Sequence, residues 1–135
     1  MQDRPTPEEL LTYARQVLLD EVLPDLPAER RVTVLMIANA MAIAARAAAQ
    51  GEAPLRDELA SLRALYGDPP QALPTGPDLV AAVTESNARL AVDLRAGAFD
   101  AADARGRALR AHLLESACQK LRESKPKHLK AERLA

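Results

Sequence analysis

The chain has 135 residues and a formal net charge of −1; hydrophobic residues make up 48% of it and aromatic residues only 2%. This length predicts one domain that can bury a core. Alanine and leucine outnumber β-branched residues, which favours helices over sheets. The single cysteine, Cys118, excludes an intrachain disulfide, and the polar, acidic N-terminus is unlike a signal peptide. These features predict a cytoplasmic, all-α protein.

The first predicted helix covers residues 7–22. It follows a capping box, Thr6-Pro7-Glu8-Glu9, in which the side chains of Thr6 and Glu9 each reach the other residue's backbone N–H. Pro24 is expected to stop this helix, because the residue before a proline avoids helical dihedral angles.

The second predicted helix covers residues 28–50 and contains fourteen consecutive uncharged residues, Val32–Ala45. A helix that is apolar all round must be enclosed by other helices or by a partner. We therefore expect this helix to lie at the centre of the fold. The uncharged run is shorter than the roughly 20 residues that cross a bilayer, so no membrane partner is expected.

The remaining pattern predicts three more helices, a proline-rich loop and a basic tail. The helices are expected at about residues 54–66, 78–96 and 100–124, with the loop at 68–77 and the tail at 125–135. The sequence thus predicts a single helical domain over residues 1–135: an all-α bundle of four or five helices around the central apolar helix.

Charge is distributed unevenly along the chain. Residues 1–104 carry nine basic and sixteen acidic side chains, whereas residues 105–135 carry nine basic and three acidic ones, including all four lysines. The basic end is expected to attract an acidic partner surface, a phosphorylated ligand or nucleic acid. Docking on the acidic body of the same chain is an equally good interpretation.

No pattern in the sequence indicates a catalytic site, a cofactor site or a metal site. His112 and His128 lack the further ligands that a metal ion needs. Cys118 has no histidine on its own helix face to act as a base, so it is interpreted as a small buried hydrophobe. The basic end has no aromatic residues to stack on bases, which argues against the binding of single-stranded nucleic acid.

Two amides stand out within apolar stretches. Asn39 lies in the uncharged run, and Asn87 follows the spacing of the apolar stripe on its helix. A buried amide without partners costs roughly 1–3 kcal/mol, so we expect both side chains to be buried and hydrogen-bonded. The competing interpretation is a contact with a ligand or partner, and Asn39 is also a partner-binding candidate.

Three segments resemble a known family in their order and spacing. They are Gln2–Leu11 followed by Glu21-Val22-Leu23-Pro24, Ala38–Ile43 with Arg46 behind it, and Leu90–Gly97. Together they resemble the small bacterial proteins grouped as domain of unknown function 6285, over most of the chain from Gln2 to about Leu129.

The resemblance implies an accessory role rather than catalysis. Members of that family are typically encoded beside aminoglycoside-phosphotransferase-like kinases and acyl-CoA dehydrogenases, and some are partners of a kinase that acts on 4-hydroxyacyl-CoA. It therefore implies a non-catalytic subunit that binds such a kinase. A self-associating structural domain, as a homodimer for example, is the alternative, and a nucleic-acid-binding bundle is a weaker one.

The chain departs from the family pattern at two places that bear on partner contacts. Ala47 stands where an acidic residue often follows the arginine matching Arg46, and Lys125-Pro126-Lys127-His128 replaces a pattern that ends in an aromatic residue. The partner-binding candidates are accordingly Asn39, Arg46, Lys125, Lys127 and Lys130.

Reversing three charges at the basic end tests whether it contacts a partner. Changing Lys125, Lys127 and Lys130 to glutamate is expected to weaken partner binding, most visibly at low salt, because charged rim contacts are screened by ions. The helical circular dichroism signal should remain. Binding that is unchanged at low salt would show that this end is only a solvated tail.

Overall fold

The computed structural model describes the backbone of residues 4–132 and the side chains of residues 4–129, and it confirms the all-α class. No strand occurs among the described residues. The helices are α1 (Pro7–Val17), α2 (Ala28–Gln50), α3 (Ala53–Tyr66), α4 (Gly76–Arg95), α5 (Ala104–Ser124) and α6 (Pro126–Glu132).

The chain divides into two compact units with the boundary between Gly51 and Glu52. The N-terminal unit contains α1 and α2, and the C-terminal unit contains the other four helices. The sequence predicted a single helical domain over residues 1–135. Gly51, with a positive φ of 57°, ends α2 at this boundary.

The start of α1 is as the sequence predicted. The Thr6 backbone N–H donates to Glu9 Oε2 at 2.8 Å, and the Glu9 N–H donates to Thr6 Oγ1 at 3.2 Å, which confirms the capping box. After Val17 the helix widens into a π-helical turn, Leu18–Val22. Pro24 explains this widening, because it has no N–H to donate and its ring crowds the preceding turn.

Arg31 fixes the connector between α1 and α2. Its Nε donates to the carbonyl of Leu26 at 2.9 Å, and its Nη2 donates to the carbonyl of Pro24 at 3.2 Å. These carbonyls lie in a short turn that has few other donors, since prolines occupy positions 24 and 27. One side chain from the first turns of α2 thus holds the connector against its own helix.

The helix α2 packs on α1 through alanine, and several of its larger apolar side chains are exposed. Ala38 and Ala45 are the buried residues of α2, and Arg15 of α1 donates its Nε–H to the Ala38 carbonyl at 3.1 Å. Met36, in contrast, is 69% exposed and Val32 64% exposed. Within the N-terminal unit α1 covers one side of α2, and the enclosure of α2 at the centre of the whole fold stays a prediction.

By length and composition alone, α2 is also the one helix of the described chain that could cross a membrane. An 18-residue window of it has a mean hydropathy of 1.7, and 17% of that window is buried. The core helices of soluble proteins pass the same test, so this finding is weak evidence for a membrane span.

The apolar clusters found among the described residues lie in the C-terminal unit. One joins Leu62 and Leu65 of α3 to Leu90 of α4, to Leu109 of α5 and to Phe99, which lies between α4 and α5. A second joins Leu59 of α3 to Leu79 and Val83 of α4. Leucines recurring every three or four residues on α3 therefore place this helix between α4 and α5.

The start of α5 lies four residues after the predicted one. Asp103 caps the helix, since its Oδ1 accepts from the Gly106 N–H at 2.8 Å, and residues 101–103 form a bend before it. Phe99, which precedes this bend, is buried in the same apolar cluster as Leu109. Where the sequence predicted a polar tail, residues Pro126–Glu132 form α6.

Replacing Gly106 by alanine should destabilise the protein. A Cβ atom at this position would lie 2.5 Å from the backbone oxygen of Ala101 and 3.3 Å from that of Phe99, so the bend before α5 would have to move. We expect a net loss of about 1–3 kcal/mol in the free energy of unfolding. Urea unfolding followed by circular dichroism measures it.

Helix propensity alone predicts the opposite sign for this substitution, because alanine favours a helix interior over glycine by about 1 kcal/mol. Ala108→Gly, at an exposed position of the same helix, gives the size of that propensity effect. A Gly106→Ala variant that is more stable than the wild type would contradict the close approach of the bend.

Candidate functional site

The basic end presents exposed lysines where α5 passes into α6. The Lys125 N–H donates to the Leu121 carbonyl at 2.8 Å and so closes the last turn of α5. The side chains of Lys125 and Lys127 are exposed. The side chain of Lys130, another predicted contact residue, lies outside the described residues.

One basic side chain of α5 is held by an acidic neighbour. Arg122 Nη1 lies 2.6 Å from Glu115 Oε1, and this hydrogen bond raises the pKa of the Arg122 guanidinium. Both side chains are exposed to solvent, so the pair adds little to stability. By contrast, no carboxylate of the described residues lies within ion-pair distance of Lys120, Lys125 or Lys127.

The two candidates on α2 differ in their environment. Asn39 is exposed, so its predicted burial is wrong. Adjacent helix residues diverge by about 100 degrees, and Ala38 already occupies the side that faces α1. Arg46 is half-buried and lines a groove of about 320 Å³ between α1 and α2, together with Glu8 and Arg15.

Asn87 makes the kind of contact that the sequence predicted for it, although it is half-buried rather than enclosed. Its Nδ2 donates to Glu58 Oε1 at 2.8 Å and so links α4 to α3. A hydrogen bond to a charged acceptor is stronger than a neutral one. Asn87 therefore fixes how two helices of the C-terminal unit are aligned, which is a structural role.

A serine and a histidine from distant parts of the sequence meet in the C-terminal unit. Ser61 Oγ of α3 lies 2.9 Å from His112 Nδ1 of α5, and His112 is 6% exposed. This is the spacing of a nucleophile and its base, but among the described residues no carboxylate hydrogen-bonds to His112 to orient the ring. We interpret the contact as a link between helices.

An aromatic and cationic cluster surrounds Tyr66 in the same unit. The Tyr66 hydroxyl donates to Asp93 Oδ2 at 2.6 Å, and the Arg89 guanidinium carbon lies 3.8 Å from the centre of the tyrosine ring. Arg105 stacks 4.3 Å from the ring centre of Phe99, which meets Tyr66 edge-on. Each arginine is thus held by an aromatic face.

Sequence reasoning missed both of these clusters for the same reason. Ser61 and His112 are 51 positions apart, and Tyr66 and Asp93 are 27 apart. Neither pair follows a motif spacing, so no local pattern marks it. Among the described residues, no group of three or more His, Cys, Asp and Glu side chains could hold a metal ion.

One comparison with known proteins identifies the family. The domain of unknown function DUF6285 matches residues 24–128. The chain belongs to this family. The DUF6285 match includes α2, α3, α4 and α5 in full, and it begins within the connector that follows α1. Comparisons with curated proteins and with solved structures find no match.

The titration of Tyr66 should reveal its surroundings. Burial raises the pKa of the Tyr66 hydroxyl, as do its hydrogen bond to Asp93 and the negative charge of that residue, while the nearby Arg89 and Arg105 lower it. In a Tyr13→Phe variant Tyr66 is the only tyrosine. The midpoint of its absorbance titration at alkaline pH should be higher than that of N-acetyltyrosinamide. Adding Asp93→Ala should lower the midpoint.

The raised pKa also predicts how stability depends on pH. The unfolded chain ionises Tyr66 near the ordinary pKa of about 10, whereas the folded chain holds the neutral hydroxyl to higher pH. The stabilisation that neutral Tyr66 gives the folded chain is therefore complete below about pH 10. It is lost as the pH rises through the pKa of Tyr66 in the folded chain. In a Tyr66→Phe variant the free energy of unfolding should fall less steeply with pH above about 10. A fall as steep as that of the wild type would contradict the role of the hydroxyl.

Proposed function

We propose that this DUF6285 protein is a non-catalytic accessory subunit that binds and supports an aminoglycoside-phosphotransferase-like kinase in 4-hydroxyacyl-CoA catabolism. It acts in the cytoplasm of a bacterium, and its partner surface includes the basic end. The kinase supplies the catalytic groups for phosphoryl transfer, and this chain supplies a binding surface.

One structural observation carries the proposal. Lys120, Lys125 and Lys127 are exposed, and no carboxylate of the described chain lies within ion-pair distance of them. Docking of the basic end on acidic residues of its own C-terminal unit would pair some of these lysines. An external anion therefore remains the better explanation of the charge, either an acidic kinase surface or the phosphates of a CoA-linked substrate.

The resemblance within the family supports the choice of partner. The segments Ala38–Ile43 and Leu90–Gly97 carry it, and both lie within the matched range 24–128. The first contains the exposed Asn39, and Arg46 follows it at the groove on α1. These residues form a second candidate contact surface on the N-terminal unit.

Co-expression with the kinase encoded beside this protein tests the proposal. We expect the two chains to co-elute in gel filtration, and we expect the kinase to transfer phosphoryl groups from ATP to a 4-hydroxyacyl-CoA faster when this chain is present. Separate elution together with unchanged ATP turnover would overturn the proposal.

A matched pair of variants shows whether location or net charge matters. Lys125→Glu with Lys127→Glu changes the net charge as much as Arg4→Glu with Arg30→Glu, and all four side chains are exposed. Only the lysine variant should weaken co-elution at low salt. Equal weakening by both variants would show that binding depends on net charge alone.

A further inference from the structure

We propose that Arg89 of α4 and Arg105 of α5 together bind the diphosphate group of a small-molecule ligand. Tyr66, the last residue of α3, and Phe99, which lies between α4 and α5, hold the two guanidinium groups in place. We call these four side chains the arginine cluster. All of them belong to the C-terminal unit.

The contacts within the arginine cluster leave the hydrogen-bond donors of its arginines available. The Arg89 guanidinium carbon lies 3.8 Å from the centre of the Tyr66 ring, and that of Arg105 lies 4.3 Å from the centre of the Phe99 ring. An aromatic face attracts the charge of a guanidinium without accepting its N–H groups as a carboxylate does. Both arginines are exposed, so a ligand can reach these donors from solvent.

Neither arginine has an acidic partner in the part of the chain that the structure describes. No carboxylate there lies within ion-pair distance of Arg89 or Arg105. Asp93, four residues after Arg89 on α4, accepts from the Tyr66 hydroxyl instead. Asp103, two residues before Arg105, accepts from the Gly106 N–H. Two acidic side chains of this region are thus used for other hydrogen bonds, and an external anion can pair with the arginines.

The two guanidinium groups are close enough for one ligand to bridge them. The Arg105 guanidinium carbon lies 5.7 Å from the centre of the Tyr66 ring, the same ring that Arg89 contacts. The two guanidinium carbons are therefore at most about 9.5 Å apart, which is the sum of their distances to that centre.

The number of donors favours a diphosphate over a carboxylate as the ligand. Each guanidinium has five N–H donors in a fixed fork, and one fork already satisfies the two oxygens of a carboxylate. A diphosphate presents oxygens on two phosphorus atoms, so each phosphate can accept from a different arginine. Its several negative charges also match two cations better than a single negative charge does.

The position of Arg105 adds to the attraction for an anion. Arg105 is the second residue of α5, a helix of 21 residues. The start of a helix carries a partial positive charge, which makes a cation unfavourable there and an anion favourable. An anion bound to Arg105 therefore interacts favourably with the side chain and with the helix end, and it relieves the repulsion between them.

Isothermal titration calorimetry of the full chain with inorganic pyrophosphate at low salt tests the site. We expect one pyrophosphate to bind per chain. Arg89→Gln and Arg105→Gln should each weaken binding by about tenfold or more, because each removes charge-assisted hydrogen bonds. Arg110→Gln is the matched control and should leave the affinity unchanged, since Arg110 is an exposed arginine of α5. No detectable binding at about 10 mM, or equal weakening by all three variants, would overturn the proposal.

Substitutions of Tyr66 test whether its ring positions Arg89. Tyr66→Leu removes the aromatic face and should weaken the binding of pyrophosphate by about fivefold. Tyr66→Phe restores that face and should recover most of the lost affinity. Circular dichroism checks that both variants keep the helical fold. A leucine variant that binds as tightly as the phenylalanine variant would overturn the role of the ring.

The Tyr66 hydroxyl provides a spectroscopic signal at the site itself. The positive charges of Arg89 and Arg105 lower the pKa of this hydroxyl. Bound pyrophosphate offsets those charges, so it should raise the alkaline titration midpoint of Tyr66 in the Tyr13→Phe variant. Sodium chloride at the same ionic strength is the control for screening. A midpoint that pyrophosphate raises no more than sodium chloride does would overturn the proposal.

Titrations with ADP and with a glutamate-rich peptide distinguish the sources of the anion. ADP that binds more tightly than pyrophosphate assigns the site to a nucleoside diphosphate. ADP that binds no more tightly assigns it to the diphosphate group alone, and either result supports the site. A chain that binds the peptide but not pyrophosphate would overturn the proposal in favour of an acidic protein surface. These measurements use this chain alone, whereas the accessory role depends on co-elution with the kinase and is decided separately.

Discussion

The rotation of α2 about its own axis determines what the N-terminal unit presents to its surroundings. Alanines at positions 38, 42 and 45 face α1, and this allows the two helix backbones to approach closely. The Arg15 guanidinium, bonded to the Ala38 carbonyl at 3.1 Å, fixes the contact. Because small residues occupy that contact, several large apolar residues of α2, among them Val32 and Met36, remain exposed. Both the exposed face and the exposure of Asn39 follow from this one contact.

The C-terminal unit is organised differently, around α3. Its leucines pack on both α4 and α5, and polar contacts between the same helices reinforce the alignment. Asn87 bonds Glu58, Ser61 bonds His112, and the Tyr66 hydroxyl bonds Asp93. Each of these contacts joins α3 to a neighbour. These contacts hold α3, α4 and α5 in a fixed alignment, and the exposed lysines lie at the end of α5 and just after it.

The two surfaces offer different kinds of binding chemistry. The exposed apolar side chains of α2, such as Val32 and Met36, can release water on association, which favours a lasting contact. The basic end carries exposed cations, which act mainly on the rate of association and on the choice of partner.

The sequence by itself determined the local features of this protein. The capping box at Thr6, the end of α2 at Gly51 and the helical class follow from residue types and short spacings, because caps and propensities act within a few residues. Only the tertiary structure decided which side of α2 packs on α1, that Phe99 is buried before α5 begins, and that Ser61 meets His112. These outcomes depend on contacts between residues far apart in the chain. A helix that is apolar on every side carries no periodic signal for which face its neighbour will choose.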